Sequence, residues 1–196
     1  MVCWQEKGGN CLRIRFAEAA DAAAVAEIYA HYVRETAITF ATVPPSAEDY
    51  AARMADDRYP FLVAEDAQGV AGFIYAAAFR QKEAYRWDVE LTIYLAPGRE
   101  GRGTGSALMA ACLRLLAAQG YLNAYSCITL PNDASVGLHR RFGFEEVGVF
   151  AKTGYKLGEW RDVVWMARAL GDFEKPPQEP RRRTELKNPE THLDAE

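Results

Sequence analysis

Histidine and cysteine are scarce in this sequence, which has three histidines and four cysteines among 196 residues. It has no C-x-x-C motif, and no histidine stands at metal-ligand spacing from a cysteine, so the common zinc-site patterns are excluded. We expect no bound metal. Cys112 and Cys127 fall in apolar stretches, where free cysteine behaves as a small hydrophobic residue. Reduced cysteines and a cytoplasmic location are therefore expected.

Excess positive charge and long apolar runs are lacking as well. Lysine and arginine number 23 against 27 acidic residues, a net charge of −4, which argues against nucleic-acid or anionic-membrane partners. Residues 115–132 form the longest uncharged stretch, but Gln119, Gly120 and Pro131 make it too polar and too broken to span a bilayer. The first ten residues have no apolar core of the signal-peptide kind. We expect neither nucleic acid nor membrane as a partner.

Helical and strand-like patterns fill most of the chain. Alternating apolar residues predict strands over residues 12–16, 61–65, 70–79, 85–95, 122–129, 144–150 and 161–170. Helical spacing and capping residues predict helices over residues 21–34, 46–54, 104–119 and 132–143. This order predicts an α+β fold with a mostly antiparallel central sheet flanked by helices.

The chain divides into three parts by composition. Residues 1–11 are predicted to be a flexible lead-in, and residues 12–170 a single domain. Residues 171–196 are rich in proline and charge, which predicts a tail that is disordered or lies over a partner.

A glycine-rich loop, PGREGRGTGSAL at residues 97–108, precedes the third predicted helix. It is not a P-loop, because Thr104 stands where the lysine is required, and it is not a dinucleotide fingerprint, because Ser106 or Leu108 replaces the third glycine. A glycine loop that feeds a helix N-terminus still favours an anion, and Arg99 and Arg102 add positive charge. The alternative is a turn whose glycines serve only backbone geometry.

The loop and its surroundings resemble the GNAT acetyltransferase superfamily from about residue 12 to residue 170. Gly103 and Gly105 match the last two fixed positions of its loop pattern [QR]-x-x-G-x-[GA], whereas Glu100 departs from the first. The segments ITFATVPPSAEDY, RYPFLVAE, AYRWDVELTIYL, YLNAYSCITLPNDASVGLHRRFGF and GYKLGEWRDVVWM resemble the phosphinothricin N-acetyltransferase branch. The resemblance implies the GNAT acyl-CoA N-acyltransferase fold, acetyl-CoA as cosubstrate and a homodimer. The implied reaction is acetylation of the α-amino group of a small amino acid or analogue such as phosphinothricin, methionine sulfoximine or methionine sulfone.

Two residues are candidates for proton transfer. Glu90 lies on the polar face of its predicted strand with Thr92 and Tyr94, and its counterpart in the branch is the proposed general base, acting directly or through water. His139 occupies the position where many GNAT enzymes carry a tyrosine acid, and its ordinary pKa of about 6.5 suits proton transfer. The alternatives are a surface glutamate and a helix-surface histidine. Leu91 departs from the Ser or Asn that is common in the branch.

The resemblance also implies two sets of binding residues. The cofactor set comprises the backbone of Ile93, Tyr94 and Leu95 along pantetheine, Gly101, Arg102, Gly103, Thr104, Gly105 and Ser106 at the pyrophosphate, and Asn132 and Ser135 along the CoA arm. The substrate set comprises Phe40, Arg80, Lys82, Tyr85, Thr92 and Tyr94, whose two basic members favour an anionic substrate. Helix capping by Asn132 and ordinary packing of the aromatic residues are the alternatives.

Two other functions are compatible with these patterns. One is a GNAT enzyme that acetylates another amine, such as a peptide N-terminus, a polyamine or an antibiotic. The other is a protein that binds acyl-CoA without turnover. A covalent acetyl-cysteine route is disfavoured, because neither Cys112 nor Cys127 has a base nearby in the sequence.

Overall fold

The structure is a computed structural model that describes residues 4–5 and 11–193. Its strands are β1 (Trp4–Gln5), β2 (Cys11–Phe16), β3 (Phe61–Asp66), β4 (Gly69–Ala78), β5 (Asp88–Leu95), β6 (Asn123–Thr129), β7 (Glu145–Lys156) and β8 (Glu159–Ala169). Its α-helices are α1 (Ala22–Glu35), α2 (Ala47–Met54), α3 (Thr104–Gln119) and α4 (Asp133–Arg141). Short 3₁₀ turns cover Ala19–Asp21, Glu83–Tyr85, Arg183–Glu185 and Pro189–His192.

The strands form one sheet in the order β1-β2-β3-β4-β5-β6-β8-β7. The neighbouring strands pair antiparallel except β5 and β6, which are parallel and are joined through α3. A parallel connection requires a long crossover, and α3 supplies it. The predicted α+β architecture with a mostly antiparallel sheet is therefore confirmed.

Both faces of the sheet are covered, because β5 alternates between two hydrophobic clusters. Val89 and Leu91 are buried in the cluster that contains α3, and the ring of Tyr94 packs in the cluster formed with α1 and α2. On α3, Leu108 and Leu115 are almost fully buried. Burial of each such leucine contributes about 1.5–3 kcal/mol. The opposite face of β5, which bears Glu90, is thus the face of α1 and α2.

Two helix boundaries follow directly from local sequence. The Ser46 hydroxyl accepts the Asp49 N–H at 3.1 Å, and the Asp49 carboxylate accepts the Ser46 N–H at 2.8 Å, which is a reciprocal N-terminal cap for α2. Helix α3 begins after Gly103 and ends at Gly120, and both glycines have left-handed backbone. Side chains other than glycine adopt that backbone at a cost, so the glycines define the length of α3.

Several predicted boundaries were wrong. Strand β5 begins at Asp88 rather than residue 85, because Glu83–Tyr85 forms a 3₁₀ turn. The two last strands are longer than predicted and form a hairpin that turns at Leu157 and Gly158. Most side chains of β7 are exposed, so no alternation of buried residues marks the strand in the sequence.

The chain termini also differ from the prediction. In the predicted lead-in, Trp4 pairs with Leu12 and Gln5 with Cys11 as a short hairpin, while residues 1–3 and 6–10 lie outside the described part. Cys11 is disulfide-bonded, so the expectation that all cysteines are reduced was wrong. No helix in residues 4–5 and 11–193 has the length and hydropathy of a membrane span.

The C-terminal segment packs against the domain from residue 178 onward, which differs from the predicted disordered or partner-bound tail. Leu186 and Leu193 are buried in the same cluster as α3. The Arg181 N–H donates to the Gln119 carbonyl at 2.7 Å, and the Arg183 N–H donates to the Asp57 carbonyl at 2.8 Å. Composition alone did not reveal these contacts, because most of them use the backbone.

Candidate active site

Strands β5 and β6 separate in the middle of the sheet. Residues 88–90 pair with residues 123–125, and within the described strands no ladder pairing joins β5 and β6 beyond that point. A cavity of about 730 Å³ opens between residues 91–95 and 126–129, and the glycine loop and α4 complete its walls. Backbone groups on the inner edges of two strands therefore face a space large enough for an extended ligand.

The glycine loop presents the N-terminus of α3 to this cavity. Gly101 and Gly103 have φ values of 76° and 101°, and an added Cβ at either would meet no atom within 4 Å. Gly103 supplies no side-chain cap, and the first turn of α3 contains no acidic residue. The N–H groups of the first turn have no intrahelical acceptor, so the loop favours an anion.

The charges around the loop differ from those predicted. Arg99 is buried, pairs with Asp66 and donates to Gln68, so it anchors the β3–β4 turn instead of facing the anion site. Arg102 donates to the Gly98 carbonyl at 3.2 Å and does not line the cavity. Arg141, at the end of α4, lines the cavity and donates to the Ser106 hydroxyl at 3.3 Å. The adjacent arginines of the RRFGF segment were the available signal for it.

Glu90 lies at the point where β5 and β6 diverge, and its carboxyl group is half-buried in the cavity wall. Burial raises the pKa of Glu90, while the nearby positive charge of Arg80 lowers it. Cys127 lies close by on β6, and burial together with the charge of Glu90 raises its pKa to about 11. A carboxylate with a raised pKa is suited to accept a proton near neutrality, whereas the Cys127 thiol stays protonated.

His139 is only 2% exposed and faces the cavity from α4. Its Nδ1–H donates to the Ser135 carbonyl at 2.8 Å, which leaves Nε2 unprotonated in the neutral ring. Burial lowers the pKa of His139. Neither Nε2 nor the hydroxyl of Ser126, also 2% exposed, has a hydrogen-bond partner among the described residues. These two buried groups on the cavity wall leave hydrogen-bonding capacity for a ligand.

A group of aromatic rings lies beside Glu90, on the face of α1 and α2. Phe79 stacks on Tyr125 with ring centroids 4.2 Å apart. The guanidinium of Arg80 lies 4.2 Å from the centroid of Phe79 and 5.6 Å from that of Trp165. Arg80 has no carboxylate partner in the described part of the chain. Its charge therefore remains open to an anionic ligand.

Most of the predicted site residues line the cavity. It is lined by Glu90, Thr92, Ile93, Tyr94, Leu95, Gly101, Gly103, Gly105, Ser106, Asn132, Ser135 and His139, and it is not lined by Phe40, Arg80, Lys82, Tyr85, Arg102 and Thr104. Thr104 is fully buried, Lys82 is exposed, and Phe40 packs across Gly154 of β7. Asn132 caps α4 by accepting the Ser135 N–H at 3.2 Å. The residues that sequence reasoning missed are Tyr32, Ser126, Cys127 and Arg141.

A metal centre is not evident in the described residues, where no group of three or more His, Cys, Asp or Glu side chains could hold an ion. The site consists of the gap between β5 and β6, the N-terminus of α3 and the carboxyl group of Glu90. This combination suits an extended anionic ligand that lies along the sheet with one end next to a proton acceptor.

The Acetyltransferase (GNAT) domain model matches residues 14–165, and the chain belongs to the GNAT acetyltransferase family. It is 43% identical over 150 residues to a phosphinothricin N-acetyltransferase of Streptomyces coelicolor, covering 74% of this chain and 88% of that protein. It is 36% identical over 171 residues to an L-methionine sulfoximine/L-methionine sulfone acetyltransferase of Pseudomonas aeruginosa, covering 84% of this chain and 98% of that protein. The predicted family is confirmed.

A solved structure supports the same relationship. The phosphinothricin acetyltransferase of Sinorhizobium meliloti, in complex with acetyl-CoA, matches with a TM-score of 0.81 and 38% identity, covering 86% of this chain and 94% of that chain. The predicted GNAT fold is thereby confirmed.

Proposed function

We propose that this protein transfers the acetyl group of acetyl-CoA to the α-amino group of a small amino acid or amino-acid analogue. The observation that carries the proposal is one continuous cavity that joins the α3 N-terminus to Glu90 through the split between β5 and β6. The similarity to phosphinothricin and methionine sulfoximine acetyltransferases supports the same substrate class.

The residues of the cavity fit acetyl-CoA. The helix dipole at the start of α3 and the Arg141 guanidinium suit a pyrophosphate, and the inner edge of β5 at residues 93–95 suits the amides of pantetheine. Ser126 and His139 offer a hydroxyl and an unprotonated nitrogen deeper in the cavity. When bound, acetyl-CoA supplies an acetyl group activated as a thioester. A cytoplasmic location is proposed because this donor is available there, and cell fractionation that recovers the protein elsewhere would contradict it.

Glu90 is the proposed general base. The amino acid reaches the enzyme as an ammonium ion and must lose a proton before it can attack, and Glu90 takes that proton directly or through a water. His139 is proposed as a hydrogen-bond acceptor through Nε2, since a neutral ring that already uses its Nδ1–H cannot donate from Nε2. A route through acetylated cysteine is disfavoured by the raised pKa values of Cys112 and Cys127.

The test is release of CoA thiol on a panel of amines. Methionine sulfone, methionine sulfoximine and phosphinothricin should stimulate release, whereas spermidine and an alanyl peptide should give much less. Preference for the last two would favour a GNAT enzyme for another amine. Acetyl-CoA binding without release by any amine would favour the non-catalytic alternative.

Substitution of Arg80 tests whether the amines of this panel bind beside Glu90. Arg80→Gln should raise KM for the anionic substrates at least about ten-fold, because a charge-assisted hydrogen bond contributes roughly 1.5–3 kcal/mol. The KM for acetyl-CoA should not change, since Arg80 does not line the cavity proposed to hold acetyl-CoA. An equal loss for both substrates would remove Arg80 from the amine site.

We also propose that two copies associate through the β7–β8 hairpin. Phe150, Tyr155, Leu157 and Trp160 are each more than half exposed on this hairpin, and β7 is a sheet edge. Phe150→Glu should convert a dimer to a monomer in sedimentation equilibrium, whereas Val43→Glu, at an exposed apolar residue outside the hairpin, should not. A monomeric native protein would contradict this proposal.

A further inference from the structure

The connection between β4 and β5, residues 79–87, carries three of the residues assigned to amine binding and is here called the acceptor loop. Its internal contacts are local: the Tyr85 N–H donates to the Lys82 carbonyl and the Arg86 N–H to the Glu83 carbonyl, both at 3.0 Å. The Arg86 side chain also donates to the Glu83 carbonyl, and the Phe79 and Tyr85 rings meet edge to face with centroids 6.0 Å apart. Residues 80–86 are all exposed. Because a loop whose residues are exposed opens easily, these local bonds alone hold the middle of the loop weakly.

The C-terminal segment supplies a second set of contacts to this loop. The Trp87 indole N–H donates to the Gln178 carbonyl at 2.7 Å, and Arg86 forms an ion pair with Glu179. The Arg86 guanidinium also lies 5.3 Å from the centroid of the Trp87 ring. Two consecutive residues of the acceptor loop are thus held by two consecutive residues that lie some ninety positions later in the chain.

The C-terminal segment is itself anchored independently of the loop. The buried amide group of Gln119 donates to the Arg181 carbonyl at 2.9 Å, and the Arg181 N–H donates back to the Gln119 carbonyl at 2.7 Å. Arg182 pairs with Asp57 at 2.5 Å, and the Arg183 N–H donates to the Asp57 carbonyl. Residues 178–183, here called the strap, therefore join α3 and the end of α2 to the acceptor loop.

The strap contacts the acceptor loop next to the start of β5, the strand that carries Glu90. Trp87 immediately precedes β5, and its carbonyl accepts the Leu122 N–H at 2.9 Å, next to the parallel pairing of β5 with β6. Glu90 lies three residues further along. At the other end of the loop, Phe79 and Arg80 stack against Tyr125 and Trp165. Fixing Trp87 therefore limits the positions that Arg80 can take relative to Glu90.

We propose that the strap is a positioning element for the amine substrate, holding the acceptor loop so that Arg80 stays near Glu90 at the edge of the cavity. The proposal rests on the proposed function for its substrate. The strap lies beyond residue 165, where the match to the family domain ends. It contacts the acceptor loop, so it would change the affinity for the amine without changing the affinity for acetyl-CoA.

The experiment uses the full-length chain with the double variant Trp87→Phe/Glu179→Ala. Trp87→Phe removes the indole donor and keeps an aromatic ring, and Glu179→Ala removes the exposed carboxylate. The matched control is Thr191→Val, which removes an exposed hydroxyl bond to the Asn188 carbonyl at 2.8 Å, outside the strap and its anchors. The double variant should raise KM for the amine about five-fold, as loss of roughly one hydrogen bond implies, with kcat and the KM for acetyl-CoA unchanged. The control should match the native enzyme.

Hydrogen exchange provides a readout that does not depend on turnover. Peptides covering residues 79–87 should exchange faster in the double variant than in the native protein and the control, while peptides of β4 should not change. Faster exchange with a raised amine KM supports the proposal, and unchanged exchange overturns it. If the native protein acetylates no amine, the proposed function fails, while hydrogen exchange still decides whether the strap holds the loop. If the enzyme is active and the double variant shows faster exchange with an unchanged amine KM, the positioning role is overturned.

Discussion

Glu90→Gln is expected to lower kcat about 10²–10⁴-fold, the usual contribution of a positioned general base. Glutamine has nearly the same shape as glutamate but cannot accept the proton of the ammonium. The dissociation constant for acetyl-CoA should stay close to the native value, because the proposed donor contacts are the backbone of β5 and the loop before α3. Thiol release and isothermal titration calorimetry measure the two quantities separately.

The pH dependence gives the same prediction an independent test. Glu90 is active only when ionised, and burial raises its pKa above 4.5, so kcat of the native enzyme should fall as pH decreases through this raised pKa. Burial also lowers the pKa of His139 below 6.5, so His139→Phe is the comparison that separates the two groups. His139→Phe should retain the acidic loss of activity, and Glu90→Gln should abolish it. An unchanged acidic limb in Glu90→Gln would remove Glu90 from its role.

Stability provides the folding control for Glu90→Gln. A carboxyl group whose pKa is raised on folding binds its proton more tightly in the native state than in the unfolded state. Its contribution to stability is present below pH 4.5 and is lost as pH rises through the raised pKa. At pH 7 the Tm of Glu90→Gln should therefore equal or exceed that of the native protein, so a loss of activity cannot be attributed to unfolding.

Gly103→Val is expected to weaken acetyl-CoA binding at least about ten-fold. Gly103 has a φ of 101°, and left-handed backbone costs residues other than glycine roughly 1–2 kcal/mol, so the loop must rearrange. A branched side chain here would also cover the amides at the start of α3, where the pyrophosphate is expected. Calorimetry with acetyl-CoA measures the effect, and native affinity in this variant would contradict the assignment of the pyrophosphate.

Gly69→Val separates this effect from general strain. Gly69 has a φ of 105° and, like Gly103, has no atom within 4 Å of an added Cβ. It lies at the start of β4 and does not line the cavity. We expect Gly69→Val to lower Tm comparably while leaving acetyl-CoA affinity unchanged. Equal losses of affinity in the two variants would mean that strain alone is responsible.

The parts of the fold that were predictable are those in which local sequence decides the outcome. Alternation along β5 identified both its buried face and Glu90, and Gly103 and Gly120 marked the ends of α3. The β7–β8 hairpin was underestimated because its exposed side chains carry no burial pattern. Its length is set instead by backbone pairing and the turn at Leu157.

The parts of the site that were not predictable depend on contacts distant in the sequence. Arg99 was assigned to the anion site because it is in the loop, but its pairing with Asp66 across 33 positions turns it away. The neutral form of His139 depends on burial and on its bond to the Ser135 carbonyl, and the residue type alone specifies neither. The ordered C-terminal segment was missed for the same reason, because its anchors at Asp57 and Gln119 lie more than sixty residues away.

The separation of β5 from β6 has a thermodynamic consequence. Three residue pairs join β5 to β6 and thereby connect the two halves of the sheet. A donor that hydrogen-bonds to the inner edges of both strands would add a connection where they are not paired. Any ligand bound only to the native state stabilises it by RT ln(1 + [L]/Kd), about 2.7 kcal/mol at a hundred-fold excess over Kd. In this protein the added bonds would join β5 to β6 where the two strands have separated, so the free energy of unfolding should rise with the concentration of acetyl-CoA.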